Sequence, residues 1–527
     1  MSEAPSNTRG AGRRDRPRVV MLVDNDVHRD SRVQKQAASM AERGWDVVLL
    51  GRGRPGGSDR RWKLGGARVR LVPVPWHLQT KQGDLRRARW RAPLAYPLVN
   101  EAERRRQAVL AKQADLRQRL VEGAYPAPAG SRAPRVRRPA WTLGPARAQA
   151  AVRRRWVELR YRHTHALRDR RAAADSRVDH LAAGFWQRLL GDGAWRRLDP
   201  HLWDFELAYG PVIDRLDPDL VHANDFRMLG VGARAVVRAR ERGRRVPLVW
   251  DAHEFLPGIR PWKPGARWHP AQRAHERAHA PYADAVVTVS GELARLLVAE
   301  HDLAVEPTLV LNAPVVAGGA GDTAGPDDAA ALPSLREVCG VGPDVPLMVY
   351  SGAAAPQRGL DVMVEALPHL PGVVCVFVVS APQSDYVQSL VVKARALGVA
   401  DRVKLAPYVP FDQVVPYLSE ADVGVIPLHH WPNHEIALIT KFFEYSHARL
   451  PIVVSDVRSM AEAVRETGQG EVFTAGDVES FLAATRGVLA APERYRAAYT
   501  PTLLEAWTWD AQADVLDGVY RSLLTED

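Results

Sequence analysis

Short apolar runs alternate with amphipathic stretches along most of the chain. The first run, residues 18–23 (RVVMLV), precedes a polar loop, an amphipathic stretch over 31–43, Gly44 and a second run, WDVVLLG. An unbroken run of five or six apolar residues is typical of a strand buried on both faces, and the stretch between the two runs has the helical period. Strand, helix and strand in succession predict a parallel sheet.

The same alternation returns after residue 219 and again after residue 341. Between these two series lies AGGAGDTAGPDDAAALP, residues 317–333, whose Gly, Ala, Asp and Pro content is typical of a linker. We therefore predict an α/β fold with two Rossmann-like domains, 18–316 and 341–500, that face a central cleft. The linker spans 317–340, and a C-terminal helix within 501–527 could return to the first domain.

An arginine-rich segment interrupts the first series. Residues 81–200 have a helical pattern that is unusually rich in Arg, Trp and Pro, and 123–148 is predicted to be loop or disordered. We interpret 81–200 as a helical insertion within the first domain. Residues 1–17 are polar and basic without an apolar core, so we expect a disordered tail and no secretory signal.

The positive charge of the chain is concentrated in this insertion. The 527 residues carry a net charge of +11, yet residues 81–180 alone hold 25 Lys and Arg against 9 Asp and Glu, and the rest is mildly acidic. Basic runs attract nucleic acid, anionic lipid or acidic substrates, although a solvated helical face has the same composition. Aromatic residues lie among the arginines: Trp156, Tyr161, Phe185, Trp186, Trp195 and Trp203. They are compatible with a membrane-surface face, a nucleic-acid stacking face, or packing of the insertion onto its own domain.

Cysteine content and hydropathy favour a cytoplasmic protein. Only Cys339 and Cys375 are present, which excludes a disulfide framework, and Cys375 within GVVCVFVV is expected to pack as a small apolar residue. No apolar run approaches the roughly 20 residues that span a bilayer.

Polar residues cluster where the predicted strands end. Asp30 and Arg32 follow the first strand, Asp225 follows DLVHAN, and His253 ends VPLVWDAH. The carboxyl ends of parallel strands meet at one edge of a sheet, where open α/β sheets bind ligands. No GxGxxG follows the first strand, so a dinucleotide cofactor is not supported.

The stretch 429–456 concentrates candidate chemistry in the second half. It follows the strand DVGVIPL with a loop that holds Asn433 and Glu435, then the amphipathic run KFFEYSHA with Lys441 and Glu444, and then the strand PIVVS. A carboxylate here could accept hydrogen bonds from ribose or sugar hydroxyls, and a lysine could face a phosphate. A solvated loop beside an ordinary charged helix is the alternative interpretation.

Six stretches together resemble the retaining glycosyltransferases of family 4, which have the two-domain GT-B fold. They are DSRVQKQAASMAERGWDV, WDAHEF, ADAVVTVSGELA, YSGAAAPQRGLDVMVEAL, VPFDQVVPYLSEADVGVIP and TKFFEYSHARLPIVVSD, and the likeness covers about 18–75 and 205–520. The resemblance implies a nucleotide-diphosphate sugar donor on the second domain and a glycan, lipid-linked or small-molecule acceptor on the first. It also implies retention of configuration, no obligatory metal or other cofactor, and a role in cell-envelope or exopolysaccharide synthesis.

The resemblance assigns roles residue by residue. Glu444 matches the glutamate that holds the nucleotide ribose, and Arg358 matches the basic residue at the diphosphate. Lys441 matches a lysine that a related subgroup has in its P-x-K-x-x-E-Y pattern. His253 resembles the strand-end histidine of the first domain that faces the donor sugar. Gly352, after the first strand of the second domain, and Asn433, in the loop before Lys441, are further substrate-binding candidates. The insertion, 81–200, could additionally meet an anionic membrane surface; no nucleic acid is expected.

Two departures from the family pattern concern charge at this site. The first of the two family glutamates would fall on Ile436, whereas Glu435 is one position away. Either the loop shifts register and Glu435 takes that catalytic role, or the role is lost. In addition, Gly352 is followed by Ala353 where the family has arginine. A catalytically impaired sugar-nucleotide-binding scaffold is therefore the main alternative function, and a basic nucleic-acid-binding protein is a second.

Overall fold

The computed structural model describes residues 15–28, 30–76, 78, 93–124, 143–173, 175–259, 265–316, 333–410, 413–436 and 438–525. The chain divides into two compact units. The first comprises Met1–His77, Leu202–Arg260 and Gln272–Asp527, and the second comprises Leu78–His201 and Pro261–Ala271. Residues 1–14 of the predicted tail, 125–142 of the predicted loop and 317–332 of the predicted linker lie outside the described residues.

Two largely parallel sheets form the framework of the first unit. The strands of the first sheet are β1 (Arg18–Leu22), β2 (Asp46–Gly53), β3 (Arg61–Leu64), β4 (Ala67–Pro73), β5 (Leu220–Asn224), β6 (Leu248–Ala252), β7 (Ala285–Thr288) and β8 (Thr308–Leu309). The strands of the second are β9 (Leu347–Ser351), β10 (Val374–Val379), β11 (Val403–Pro407), β12 (Val423–Ile426), β13 (Ile452–Ser455) and β14 (Gly470–Phe473).

Strand order confirms the predicted α/β class with two Rossmann-like domains. In the described part of the chain the orders are β3-β4-β2-β1-β5-β6-β7-β8 and β11-β10-β9-β12-β13-β14. The pair β3 and β4 is antiparallel, and the other strand pairs are parallel. Strands such as β10 are buried along their whole length because helices cover both faces of a parallel sheet.

The helices connect these strands. In chain order they are α1 (Ser31–Glu42), α2 (Val99–Ala124), α3 (Gly144–Ala173), α4 (Arg177–Leu190), α5 (Trp195–Leu198), α6 (Leu202–Leu216), α7 (Asp225–Glu241), α8 (Trp268–His279), α9 (Gly291–His301), α10 (Leu335–Cys339), α11 (Asp361–Ala366), α12 (Asp385–Ala396), α13 (Val414–Leu418), α14 (Pro432–Glu435), α15 (Thr440–His447), α16 (Arg458–Thr467), α17 (Val478–Ala490), α18 (Pro492–Arg496), α19 (Pro501–Ala506) and α20 (Trp509–Thr525).

Helix α20 packs against the first sheet's domain although it follows the second domain in sequence. The Trp509 indole donates to Ser39 Oγ of α1 at 2.8 Å, and Tyr520 OH lies 2.6 Å from Nδ1 of His222 in β5. Both aromatic side chains are buried, and they share one apolar cluster with residues of β1 and β2. The last helix of the chain is therefore part of the first domain's core.

The second domain begins earlier than the sequence suggested. Residues 317–340 were expected to form a linker, yet Leu335–Cys339 form a helix capped by Ser334. Leu335 and Cys339 are four residues apart, so both lie on one helix face, and both are buried in the second sheet's core.

The second unit holds the long arginine-rich helices. Helices α2 and α3 pack along each other, and Arg106 of α2 forms an ion pair with Glu158 of α3 at 3.1 Å. The backbone N–H of Tyr96 donates to Thr164 Oγ1 at 2.9 Å, and the Arg160 guanidinium lies 4.0 Å from the Tyr96 ring centroid. The residues Pro261–Ala271 also belong to this unit, which the sequence did not predict.

Candidate functional site

The carboxyl edge of the second sheet brings together Gly352, Lys441 and Glu444. Strand β9 ends at Ser351, and Gly352 follows with a φ of +119°. Helix α15 begins at Thr440, so Lys441 and Glu444, three residues apart, share one of its faces. A Cβ on Gly352 would lie 3.2 Å from the Lys441 Nζ, which shows how closely that backbone approaches the ammonium group.

Lys441 carries a buried amino group that is hydrogen-bonded to the Tyr350 side chain. Its Nζ donates to Tyr350 OH at 3.2 Å and lies 4.4 Å from the centroid of the same ring. Burial, assisted by the positive charge of Arg358, lowers the pKa of Lys441 to about 7. An anion placed beside Lys441 would restore its proton, so the site is prepared for negative charge.

The buried carboxyl group of Glu444 lies on the same face of α15 as Lys441. The residue is 8% exposed, and among the described residues no group donates a hydrogen bond to its carboxyl oxygens. Burial raises the pKa of Glu444, and the positive charges of Lys441 and Lys35 offset this only in part. A carboxyl group that no described protein donor occupies is suited to a ligand that brings its own donors, such as hydroxyl groups.

Arg358 adds a second cation to this edge. It closes a short turn, Pro356–Arg358, that precedes Gly359 with φ +67°. A Cβ on Gly359 would collide with the carbonyl oxygen of Pro427, so only glycine permits this approach to the end of β12. Within the described part of the chain the guanidinium of Arg358 makes no hydrogen bond or ion pair, and its charge acts on Lys441.

Lys35 of helix α1 faces Glu444 from the first domain and was not foreseen from the sequence. Its Nζ donates to Asn312 Oδ1 at 3.1 Å and to the carbonyl of Ala313, and it lies 4.6 Å from the Trp509 ring centroid. Burial lowers the pKa of Lys35 to about 7, while Glu444 acts in the opposite direction. Lys35 lies three residues after Arg32, so both are on one face of α1, and this spacing is the sequence feature that indicates Lys35 as a site residue.

Asn312 links the first domain to helix α15. It accepts from Lys35, and its amide donates to Thr440 Oγ1 at 2.7 Å. Thr440 is the first residue of α15, directly before Lys441. A chain of two hydrogen bonds therefore runs from α1 to the helix that carries Lys441 and Glu444.

Arg32 is occupied by a structural ion pair and is not open to a substrate. Its guanidinium binds both oxygens of Asp251, at 2.8 and 3.0 Å, and donates to the carbonyl of Val310 at 3.0 Å. Arg32 and Asp251 are both buried, and the arginine holds the pKa of Asp251 well below its usual range against the effect of burial. The substrate-binding role expected for Arg32 is thus replaced by a link between α1 and β6.

Asp30 also has a structural role. One carboxylate oxygen caps helix α1 by accepting from the Val33 N–H at 3.2 Å, and the other accepts from the Asn25 amide at 2.7 Å. A side chain that caps a helix in this way is not available to a substrate, in contrast to the sequence-based expectation.

His253 and Asp225 are two titratable residues at the carboxyl edge of the first sheet. Burial alone would lower the pKa of His253, but the carboxylate of Asp251, 3.7 Å from Nδ1, and the charge of Asp225 raise it to about 9. Burial and the nearby Asp24 raise the pKa of Asp225 to about 7, and Asp225 has a φ of +77°. His253 is therefore protonated at neutral pH, and its side chain remains 27% exposed.

Glu435 does not point its carboxylate at Lys441. One oxygen lies 2.6 Å from His430 Nδ1, and the other accepts from the backbone N–H of Arg458, the first residue of α16, at 2.8 Å. Ile436, at the position of the family glutamate, is buried in the apolar cluster of the first sheet. Both observations give Glu435 a helix-capping role instead of the catalytic role expected of it. Asn433 lies nearby with its Oδ1 buried, and a Cβ on Gly258 would be 3.1 Å from that atom.

Replacing Glu435 by alanine is expected to lower the free energy of unfolding by about 1 kcal/mol, because α16 loses the acceptor for its first N–H. Glu462, an exposed residue in the same helix, provides the control Glu462→Ala. Urea unfolding of the two variants and the parent protein measures the difference. Equal stability of both variants would show that the cap contributes nothing.

Two further properties concern metals and membranes. Among the described residues, no three His, Cys, Asp or Glu side chains cluster as metal ligands would. No helix in the described ranges combines the length and the apolarity needed to cross a bilayer.

Two family models match the chain in succession. Glycosyltransferase Family 4 matches residues 144–314, and Glycosyl transferases group 1 matches residues 345–491.

Curated relatives include D-inositol 3-phosphate glycosyltransferase from Geodermatophilus obscurus, 28% identical over 58% of this chain and 67% of that protein. The same enzyme from Segniliparus rotundus is 29% identical over 38% of this chain and 44% of that protein. A GDP-mannose-dependent alpha-(1-6)-phosphatidylinositol monomannoside mannosyltransferase from Mycolicibacterium smegmatis is 28% identical over 35% of this chain and 50% of that protein. The chain matches less than half the length of the first relatives found.

Solved structures agree in fold. Sucrose-phosphate synthase from Thermosynechococcus elongatus superposes with a TM-score of 0.58 at 14% identity, covering 97% of this chain and 100% of that one. The Anabaena protein HepE, in complex with UDP and glucose, gives a TM-score of 0.54 at 13% identity, covering 96% of this chain and 100% of that one. Because the family models fall in order along the chain and the architecture is shared, this protein belongs to glycosyltransferase family 4 (glycosyl transferases group 1) and has the GT-B fold.

Proposed function

We propose that the protein transfers a sugar from a nucleotide-diphosphate sugar to an acceptor with retention of configuration. The observation that carries the proposal is the grouping of Glu444, Lys441 and Arg358 at one sheet edge, a carboxylate and two cations that the protein leaves largely unpaired. A nucleoside diphosphate supplies the complementary groups, namely ribose hydroxyls for the acid and phosphate oxygens for the cations.

In this proposal Arg358 and Lys441 stabilise the leaving group. Departure of the nucleoside diphosphate builds negative charge on the β-phosphate while the anomeric carbon becomes oxocarbenium-like. A cation aimed at that charge in a water-poor site typically stabilises the transition state by about 3 kcal/mol. Glu444 holds the ribose and so positions the donor. No carboxylate nucleophile is assigned, since Glu435 is engaged by His430 and α16.

His253 supplies a positive charge on the side of the first domain. Its raised pKa keeps the imidazole protonated at neutral pH, so its Nε2–H can donate to the donor sugar or to phosphate oxygens while Nδ1 faces Asp251. The acceptor is proposed to bind at the first sheet's carboxyl edge, and the glycan products are proposed to serve the cell envelope or exopolysaccharide.

A panel of UDP-, GDP- and ADP-sugars tests the proposal. One or more donors should raise the melting temperature, and the same donor should be consumed when acceptors are added or by slow hydrolysis. The anomeric configuration of the product, measured by NMR, then tests retention. Failure of every donor both to stabilise the protein and to react would refute the proposal.

A catalytically impaired sugar-nucleotide-binding scaffold is the second candidate, and the capping role of Glu435 favours it. The two candidates differ in a single result. A scaffold would be stabilised by one donor in the panel, yet no transfer and no hydrolysis of that donor would follow.

Donor binding is expected to take up protons near pH 8. In the ligand-free protein the pKa of Lys441 is about 7, so the lysine is then mostly neutral, and a bound diphosphate would restore its charge. Calorimetry of nucleoside diphosphate binding in buffers of different ionisation enthalpy measures the uptake. Lys441→Met should take up fewer protons than the parent protein, whereas equal uptake would contradict a contact between Lys441 and the diphosphate.

The lowered pKa of Lys441 also determines how the stability of the protein changes with pH. Between about pH 7 and pH 10 the unfolded chain keeps the proton on Lys441 while the folded, ligand-free protein releases it. The unfolded state therefore binds more protons, and the contribution of Lys441 to stability rises with pH in this window. A bound diphosphate should diminish this rise.

A further inference from the structure

Helix α4 of the second unit carries a row of exposed apolar side chains. Val178, Leu181, Phe185 and Leu189 are 73%, 74%, 57% and 60% exposed. They follow one another at intervals of three or four residues, so they form one stripe along the helix. Exposed apolar residues scattered singly are ordinary, but four large ones in one stripe mark a binding surface.

The stripe lies on the outward face of a well-defined helix. Ala183, on the opposite side, is buried, and Ser176 and Asp179 form a capping box that fixes the first turn. The helix therefore attaches to its own unit through the other face. The stripe is available to a partner.

Positive charge lies along one side of the stripe, and Asp179, towards the other side, is paired with Arg267 and Ser176. Arg177 and Arg188 are exposed residues of the same helix, and on a helical wheel both fall beside Leu181. Helix α3 repeats the combination, since Val152, Trp156 and Leu159 are also at least half exposed and form a stripe of their own among arginines. The partner must accordingly offer an apolar interior behind an anionic surface.

These two requirements select one class of partner. A nucleic acid would pair with the arginines but leave Val178 and Leu181 without apolar contacts, and a second copy of this chain would bring the same positive charge. A bilayer with anionic lipids satisfies both needs, because apolar side chains enter the acyl region while arginines remain among the headgroups. We propose that α4 is a docking helix for an anionic membrane surface. This inference is independent of the proposed sugar transfer.

Vesicle co-sedimentation of the full chain tests the inference. The protein should sediment with vesicles rich in phosphatidylglycerol and far less with pure phosphatidylcholine. The double variant Leu181→Ser/Phe185→Ser should bind at least about tenfold more weakly, because two buried side chains leave the bilayer. Arg177→Ser/Arg188→Ser should weaken binding to anionic vesicles and reduce its sensitivity to salt.

A matched control tests whether removing any exposed apolar side chains weakens vesicle binding. Val305 and Val392 are 78% and 61% exposed in the first unit, so Val305→Ser/Val392→Ser removes similar side chains elsewhere. This control should bind vesicles as the parent protein does, and all variants should keep the parent's melting temperature. Undiminished vesicle binding by Leu181→Ser/Phe185→Ser would overturn the inference. The inference would also be overturned if neither the parent protein nor any variant bound vesicles, and Leu181→Ser/Phe185→Ser lost RNA binding or self-association.

Discussion

Replacing Glu444 by alanine is expected to lower kcat/KM for the sugar donor at least about tenfold, equivalent to ~1.4 kcal/mol of transition-state binding. The carboxylate is buried, and among the described residues nothing donates a hydrogen bond to it. A ribose contact is made equally in the ground state and in the transition state, so the loss should appear mainly as a higher KM for the donor. Steady-state kinetics with varied donor concentration measures both constants.

The control for this variant is Glu479→Ala. Glu479 is an exposed glutamate in the first turn of α17, within the same domain. Its replacement should leave both constants unchanged. If the Glu444→Ala enzyme had the parent's KM, Glu444 would not be a donor-binding residue.

Replacing Arg358 by alanine is expected to lower kcat at least about tenfold, with a smaller change in KM. Its guanidinium lacks hydrogen-bond and ion-pair partners in the described ranges, yet its charge reaches Lys441. The negative charge on the β-phosphate grows as the bond to the sugar breaks, so a cation there stabilises the transition state more than the bound donor. Single-turnover measurements of donor consumption report this step directly.

Arg395→Ala is the matched control, because Arg395 is exposed in the last turn of α12 in the same domain. It should turn over at the parent's rate. The role assigned to Arg358 fails if its alanine variant does the same.

The fold could be predicted from the sequence because its signals are local. Apolar runs such as VCVFVV lie within single strands, and the intervening helices show their own period. Helix α10 was missed because five residues are too short for a periodic pattern, although Leu335 and Cys339 anchor it in the core. The arginine-rich insertion stood out by composition alone, but which of its faces remains exposed depends on packing.

The site could be predicted only where its residues share one helix. Lys441 and Glu444 are three residues apart, so helical geometry alone places them together. Arg32 and Asp251 are 219 residues apart, and Lys35 and Asn312 are 277 apart, so no local pattern indicates either contact. For the same reason the sequence could not show that Arg32 forms an ion pair with Asp251 while Lys35 faces Glu444.

Glu435 shows the limit of reasoning from a motif. Its position one residue before that of the family glutamate left two outcomes open, a shifted loop or a lost role. The outcome depends on Ile436, which packs into the first sheet's core, and on the N-terminus of α16, which lies 23 residues further along the chain and takes the carboxylate. Neither neighbour can be identified before the chain is folded.

Binding of a nucleoside diphosphate with and without its ribose hydroxyls tests the central claim most directly. Calorimetric titration of the parent protein and of Glu444→Ala with both forms of the nucleotide found in the donor panel completes a thermodynamic cycle. Removing the 2′ and 3′ hydroxyls should weaken binding to the parent at least about tenfold, since hydrogen bonds to a charged group are lost, and should change binding to Glu444→Ala by less than about twofold. An equal loss in both proteins would contradict a ribose contact at Glu444 and with it the proposed donor site.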